Sequence, residues 1–363
     1  MKRRMIVGFV FFVLYNAIVY YLGWNVYHWL ELAFHMKMPI VFSIVWLYFA
    51  YSIVISNFNE RFRITKVVSC YWMILMEYGL LLFPIANFLL WLVPSFHIVW
   101  VGYIILFLFI AIIGFGSYMA YSPVVHRKTI QIKKQHQTIQ NFRMVIASDF
   151  HLGILSNKNL LQKFVTRSNA EKPDIVFLVG DIVDDHPYWY KAYDMDVVMK
   201  TLTATYGVYG VLGNHEYYGK AIPTFVNEMK KSGVQILQDE TICIADSFYV
   251  TGREDKTNKS RKSLQQLSTV VNTRLPWIVM DHTPSDLETP VELGVDVHLS
   301  GHTHLGQMWP NQWITKKTFE LDYGYLLKKT THILVSSGFG FWGPPIRTNS
   351  RSEMWVIDVE LKD

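Results

Sequence analysis

Cysteine is nearly absent: Cys70 and Cys243 are the two in 363 residues. That excludes a disulfide scaffold and any zinc site built on thiolates, and a reducing compartment suits two unpaired thiols. Charge is scarce as well. Asp, Glu, Lys and Arg make up 17% of the chain, against about 25% in ordinary soluble domains. With 51% hydrophobic residues and a mean hydropathy of +0.18, the chain is neither disordered nor an ordinary water-soluble enzyme. The scarcity is uneven. Residues 1–121 carry ten charged side chains, and the other 53 fall in 122–363, where the signs nearly balance. No fixed-period repeat and no low-complexity tract occurs.

The charge-poor third is made of long apolar runs. Spanning a bilayer takes about 20 mostly apolar residues in a helix, and four stretches qualify: about 5–27, 39–56, 68–93 and 98–121. A signal peptide is a poor reading of the first, because it lacks a small-residue cleavage pattern and three more runs follow. Lys2, Arg3 and Arg4 precede the first run, Arg61, Arg63 and Lys66 lie between the second and third, and Arg127, Lys128, Lys133 and Lys134 follow the fourth. The opposite loops hold only Lys37. Basic residues mark the cytoplasmic side, so a multi-pass cell-membrane protein with both termini and residues 142–363 in the cytoplasm is expected. Residues 122–141 read as a basic linker. Their charge lies beside a span and the rest is near neutral, so no nucleic-acid partner is expected. Glu77, the one ionisable group well inside a run, reads as a paired or protonated carboxylate.

Beyond Tyr121 short β-branched runs alternate with polar, helix-like segments, the signature of an α/β layered fold. Such folds carry their sites at strand ends, and the ends here repeat one chemistry. Five predicted strands run into Ser148-Asp149-Phe150-His151, Gly180-Asp181-Ile182-Val183-Asp184, Gly213-Asn214-His215-Glu216, Asp281-His282-Thr283-Pro284 and Gly301-His302-Thr303-His304. Carboxylate, imidazole and amide oxygen without thiolate suit divalent cations such as Mn, Fe, Zn or Mg. Asp149, His151, Asp181, Asn214, His282, His302 and His304 are seven donors, too many for one ion and enough for two that share a bridging carboxylate. Asp181 is the choice for the bridge. Two ions about 3.5–4 Å apart can bind a phosphoryl group and generate a hydroxide to attack it. One Asp-x-His would be an ordinary loop cap, but five clusters after five strands are not. Arg347 reads as a phosphate contact, and His298, facing away from Val297 and Leu299, as a packed core histidine. The charged stretch 253–262, with Asp255, reads as a solvated loop. Trp309, Trp313, Tyr323 and Tyr325 read equally well as loop packing and as contacts to an acyl chain or a membrane interface.

This ordered set of motifs resembles the calcineurin-like metallophosphoesterase superfamily over about residues 142–361. The tail Ser337-Gly338-Phe339-Gly340-Phe341-Trp342-Gly343-Pro344-Pro345-Ile346-Arg347 is similar to its membrane-associated bacterial branch, and the layout to transmembrane proteins with a metallophosphoesterase domain. The resemblance implies a two-sheet β-sandwich flanked by helices, an α/β (α+β) domain behind the four-helix transmembrane region. It implies two divalent ions, Mn, Fe or Zn, one held by Asp149, His151, Asp181 and His304 and the other by Asp181, Asn214, His282 and His302. It further implies that His215 faces the scissile phosphate as stabiliser or proton donor, with Asp184 orienting it. Leu305-Gly306 stands where the branch often has two glycines. The expected activity is hydrolysis of a phosphodiester, pyrophosphate or phosphomonoester, on a membrane lipid or a phosphate-containing small molecule, by metal-bound hydroxide. The alternatives are an anchored phosphatase for a soluble or protein phosphomonoester, and a metal-binding membrane module without turnover.

Overall fold

Apolar runs of this length have one way to satisfy their backbone in lipid, the α-helix. The computed structural model, which describes residues 2–59, 62–134 and 139–362, has four such helices: α1 (Lys2–Phe34), α2 (Pro39–Ser56), α3 (Arg63–Leu92) and α4 (Ile98–Tyr121). Arg61 of the second basic cluster and residues 135–138 of the expected linker lie outside the described residues. The chain divides into two compact units, Met1–Gly114 and Phe115–Asp363.

In the first unit the outward faces stay apolar, with Phe9, Phe11, Ile40, Ile64, Trp91 and Trp100 among many exposed. That is the surface of a membrane protein. Inside, Leu22, Ala50, Trp72 and Phe83 pack together. Helices lack a hydrophobic drive toward each other in lipid, so interhelical hydrogen bonds and close packing hold such bundles. Here Trp46 Nε1 donates to the Val19 carbonyl at 2.9 Å and Trp72 Nε1 to the Tyr15 hydroxyl at 3.0 Å. Asn87 donates to Asn25 Oδ1 at 2.9 Å.

The second unit is built on alternation. In Phe142–Ala147 the even residues Met144 and Ile146 face one core, and the odd residues Val145 and Ala147 face another. The first sheet has the order β1 (Val124–Lys133), β12 (Glu353–Lys362), β2 (Asn141–Ala147), β3 (Ile175–Val179), β4 (Val208–Val211), β5 (Val234–Ile236). Strands β2 to β5 are parallel, while β12 runs antiparallel to β2. The second sheet has the order β10 (Gly324–Lys328), β11 (Thr331–Val335), β9 (Val297–Ser300), β8 (Trp277–Met280), β7 (Phe248–Gly252), β6 (Glu240–Ile244). Its central four strands are parallel. Met144, Ile146, Phe177, Val179 and Val211 of one sheet meet Val250, Ile278, Met280, Val297 and Leu299 of the other in a shared core. Helix Lys158–Ala170 covers the outer face of the first sheet with Leu160, Leu161 and Phe164. The expected two-sheet sandwich flanked by helices is present.

Two segments differ from expectation. The basic linker contains a ten-residue strand, β1, paired in parallel with β12 from Val124↔Glu353 to Lys133↔Lys362. Its Ile130 and Ile132 are buried two apart, so a period-2 pattern was present beneath the charge. The stretch 253–262 is a solvated loop only in part, with Lys256, Lys259, Ser260 and Lys262 exposed. Arg253 and Asp255 are buried, Arg253 Nη1 donates to Asp281 at 2.6 Å, and Thr283 Oγ1 donates to Asp255 at 2.8 Å.

Candidate metal centre

Parallel strands ending along one edge place their next residues side by side, and the five motifs follow β2, β3, β4, β8 and β9. At each end the chain turns sharply. Asp149, His151, Asp181, His302 and His304 all have left-handed backbone, with φ between 45° and 72°. For residues with a Cβ this conformation costs about 1–2 kcal/mol each, and such strain gathers at functional sites. Two glycines make the close approach possible. A Cβ at Gly213 would stand 2.1 Å from Asp181 Oδ1, and one at Gly301 would stand 2.3 Å from Asp149 Oδ2.

The donors fall into two groups. Asp149, His151 and His304 form one, and Asp181, His282 and His302 the other. His151 Nε2 lies 3.1 Å from His304 Nε2, and His304 Nε2 lies 3.4 Å from Asp149 Oδ1. His282 Nε2 lies 3.2 Å from Asp181 Oδ2, and His302 Nδ1 is 2.8 Å from Asn214 Oδ1. Asp181 Oδ2 also stands 3.7 Å from His151 Nε2, so its carboxylate faces both groups. Ligands bound at about 2.0–2.2 Å at tetrahedral or octahedral angles stand about 3.0–3.5 Å apart, close to most of these spacings.

Three further observations fit divalent cations. First, His282 Nε2, the nitrogen that faces Asp181, is buried without a hydrogen-bond partner. Second, His282 Nδ1–H donates to the Val179 carbonyl at 2.8 Å, which aims Nε2 at Asp181; such a partner commonly fixes a ligating imidazole. Third, the electrostatics call for positive charge. Burial holds His151 and His304 well below the usual imidazole range and His302 down to about 4, with the neighbouring histidines adding to it. These rings are neutral, the form that binds cations. Burial and the charge of Asp181 push Asp149 up to about 6, although His282 opposes them. Asp181 resists burial and stays well below the carboxylate range, because His282 and His151 are beside it. The same two carboxylates overcome burial at His282 and hold a proton on it, where a cation would otherwise balance them.

Other partners hold this shell. Ser148 Oγ donates to Asp149 Oδ2. Glu216 accepts from the amides of Gly213 at 2.8 Å, Asp181 at 3.2 Å and Val183 at 3.0 Å, locking two of the turns together. Burial and the Asp181 charge push Glu216 up to about 7. Asp281, buried beneath His282, is paired with Arg253 and with Arg261 at 3.1 Å. His298 is buried as expected, 3.2 Å from Ser300 Oγ.

Two expected roles change. His215 Nδ1–H donates to Asp185 at 2.6 Å, one residue beyond Asp184, which stands in the same cluster. Burial opposes the charged ring, but Asp185 and Asp181 raise His215 to about 9. Arg347 is not placed to touch a phosphate. It is wholly buried, and its guanidinium donates to the carbonyls of Ser337, Gly338 and Gly340 and to Ser350 Oγ, with His304 Nδ1 at 3.3 Å. Burial lowers it to about 10, so it remains charged at neutral pH. Motif reading missed Glu216, Asp185 and Gln307. Glu216 was legible as the last residue of a Gly-x-x-Glu helix start, whereas Gln307 left no local signal. Its amide binds the main chain of Trp342 and Pro344 at 2.9–3.1 Å, tying the His304 turn to the tail.

A two-sheet sandwich with paired Asp/His clusters at its strand ends is an arrangement suited to a metal-dependent phosphoesterase. Residues 142–306 match the family model described as calcineurin-like phosphoesterase, and the chain carries a calcineurin-like metallophosphoesterase domain. It is similar to an uncharacterized metallophosphoesterase of Campylobacter jejuni, 29% identical over 263 residues and 70% of each chain. It is also similar to one of Aquifex aeolicus, 29% identical over 266 residues, 70% of this chain and 99% of that one. A Danio rerio relative named transmembrane protein with metallophosphoesterase domain is 26% identical over 258 residues, 67% of this chain and 58% of that one. The family uses two divalent metals, and the Asp/His clusters here could hold them.

Proposed function

We propose that this membrane protein is a tethered two-metal phosphoesterase with its catalytic unit in the cytoplasm, acting on a phosphodiester or pyrophosphate carried by a lipid. The observation behind the two-metal reading is Asp181, whose carboxylate lies 3.2 Å from His282 and 3.7 Å from His151. Asp149, His151, Asp181 and His304 would hold one ion, and Asp181, Asn214, His282 and His302 the other, with Mn, Fe or Zn suited to the donors. Bound there, the pair supplies Lewis-acid charge for the phosphate and lowers the pKa of the attacking water.

His215 does the proton work. Its Nδ1–H is tied to Asp185, which keeps the ring charged and leaves Nε2 as the nitrogen for substrate. Protonated at neutral pH, it stabilises negative charge on phosphate and gives its proton to the leaving oxygen. Trp342 and Tyr218 flank the ring at 6.0 and 5.4 Å. The lipid-linked reading rests on the spans, and the sidedness on the basic clusters at Lys2–Arg4, Arg61–Lys66 and Arg127–Lys134.

The test is Mn-supplemented hydrolysis of paired chromogenic mono- and diesters by the detergent-purified full chain, beside Asp181→Asn and His215→Ala, with bound metal measured. Expected are about two metals per chain, diester cleavage, a deep loss in Asp181→Asn, and a 10²–10⁴-fold loss in His215→Ala with metal retained. Monoester cleavage alone would favour an anchored phosphatase. Two bound metals without turnover of either ester would overturn the enzyme reading for these ester classes.

A further inference from the structure

We propose that the mouth of this site is seated in the headgroup layer of the bilayer by an aromatic rim, so that it opens onto lipid phosphates at the membrane surface. This deepens the lipid-linked reading and rests on it for the substrate, though not for the position.

The position follows from the end of α4. Only Ser122 and Pro123 separate Tyr121 from β1, and the tail loop is laid along the last turns of the helix. The Arg347 amide donates to the Gly116 carbonyl at 2.9 Å, the Ser352 amide to Met119 at 3.2 Å, and Ser352 Oγ to Ala120 at 2.6 Å. Arg351 Nε donates to the Ser122 carbonyl at 2.6 Å. Gly116 permits the approach: a Cβ there would stand 2.7 Å from Ile346 Cβ. The 24 residues of α4 are about 36 Å long, against a hydrocarbon core of about 30 Å. Gly116 lies five residues, about 7–8 Å, before the end of the helix, which puts it near the boundary between acyl chains and headgroups. The residue hydrogen-bonded to Gly116 is Arg347, and its guanidinium is 3.3 Å from His304. One arginine therefore separates the spanning helix from a candidate metal ligand.

The rim beside this junction has the composition of an interface. Trp309 is 44% exposed, Trp313 58%, Ile314 65% and Trp342 46%. The Trp309 amide donates to Thr348 Oγ1, next to Arg347, at 2.8 Å, and the Trp309 and Trp313 rings lie 5.8 Å apart. Trp342 reaches His215 itself. Phe115 and Tyr118 continue the exposed apolar surface on the helix, and the Arg351 guanidinium sits 5.3 Å over the Tyr118 ring. Lys316 and Lys317 close the short helix that carries Trp313 and Ile314. Amphipathic rings with adjacent cations belong at headgroup level, where each basic residue gains about 1 kcal/mol from anionic lipid. Tyr323 and Tyr325, by contrast, turn inward to Glu353 and His332.

The test reads position and activity separately. In the full chain with Cys70→Ser and Cys243→Ser, spin labels are placed at Trp313→Cys and Val270→Cys, and the protein is reconstituted in vesicles of phosphatidylethanolamine and phosphatidylglycerol. Val270 is exposed, and it precedes β8 at the end of the sheet opposite the site. Expected is a Trp313 label favouring collision with oxygen over a water-soluble nickel complex at least five-fold more than the Val270 label. Equal accessibility at the two positions overturns the proposal whatever the activity. In the second arm, Ile314→Glu is expected to slow hydrolysis of a chromogenic phosphodiester on a lipid in those vesicles at least ten-fold, while leaving a water-soluble diester in detergent within two-fold. Equal loss on both substrates argues against a surface-seated mouth. Absence of all turnover in the unmodified chain, with the Trp313 label embedded, leaves the position standing and overturns the enzymatic reading instead.

Discussion

Arg347 separates two accounts of the tail. If the residue is a clamp, replacing it with methionine removes the one hydrogen-bond donor, among the described residues, to the buried carbonyls of Ser337 and Gly340, whereas Gly338 keeps the Glu353 amide at 3.0 Å. Each orphaned carbonyl costs about 1–3 kcal/mol, so Arg347→Met should destabilise the second unit by about 2–6 kcal/mol. For a unit of this size each kcal/mol moves the melting temperature by about 2–4 °C, which gives a drop of roughly 4–24 °C. Lysine should restore little, because one ammonium cannot serve carbonyls on both sides of a planar fork. The assay is thermal unfolding of the full chain in detergent, with the metal content of the folded fraction measured alongside. A residue that contacts phosphate would behave in the opposite way. An unchanged melting temperature with a raised KM in Arg347→Met would refute the clamp and return Arg347 to the substrate.

Other expectations follow from the same geometry. Asp185→Asn should lower kcat about 10²–10³-fold with both metals retained, whereas Asp184→Asn should cost under ten-fold; the reverse order would move the orienting role back to Asp184. Leu305 sits at φ 50°, ψ 38°, so Leu305→Gly should raise the melting temperature by about 2–4 °C through relief of about 1 kcal/mol of strain, and a fall would mean that the side chain packs usefully. Burial holds His298 down to about 4. The unfolded chain then takes up this proton first as pH falls below about 6.5, and stability is lost between there and pH 4 by about 3 kcal/mol. His298→Asn should flatten that limb, as acid-range unfolding curves would reveal. Millimolar Mn should raise the melting temperature of the unmodified chain and leave Asp181→Asn nearly unmoved.

What the sequence by itself determined was what is local. Four apolar runs can be read as spans because lipid leaves their backbone no other structure. The donors could be read because each follows its own strand within a few residues, so finding the strand finds the donor. Edge strand β1 escaped because its partner, β12, lies more than 220 residues away, and its charge concealed the alternation that buries Ile130 and Ile132. Only the tertiary structure decided which carboxylate serves His215, since Asp184 and Asp185 are neighbours in sequence and a turn after β3 aims one of them at the ring. It also decided that Arg253 and Arg261 are spent on Asp281, and that Arg347 faces carbonyls where a phosphate contact was expected. In each case a long polar side chain reaches several ångströms from its backbone, and its target depends on a loop brought in from elsewhere. Gly116 illustrates the same division. In the sequence it is one small residue in a span, and in the fold its carbonyl takes the Arg347 amide and its bare Cα lets Ile346 approach.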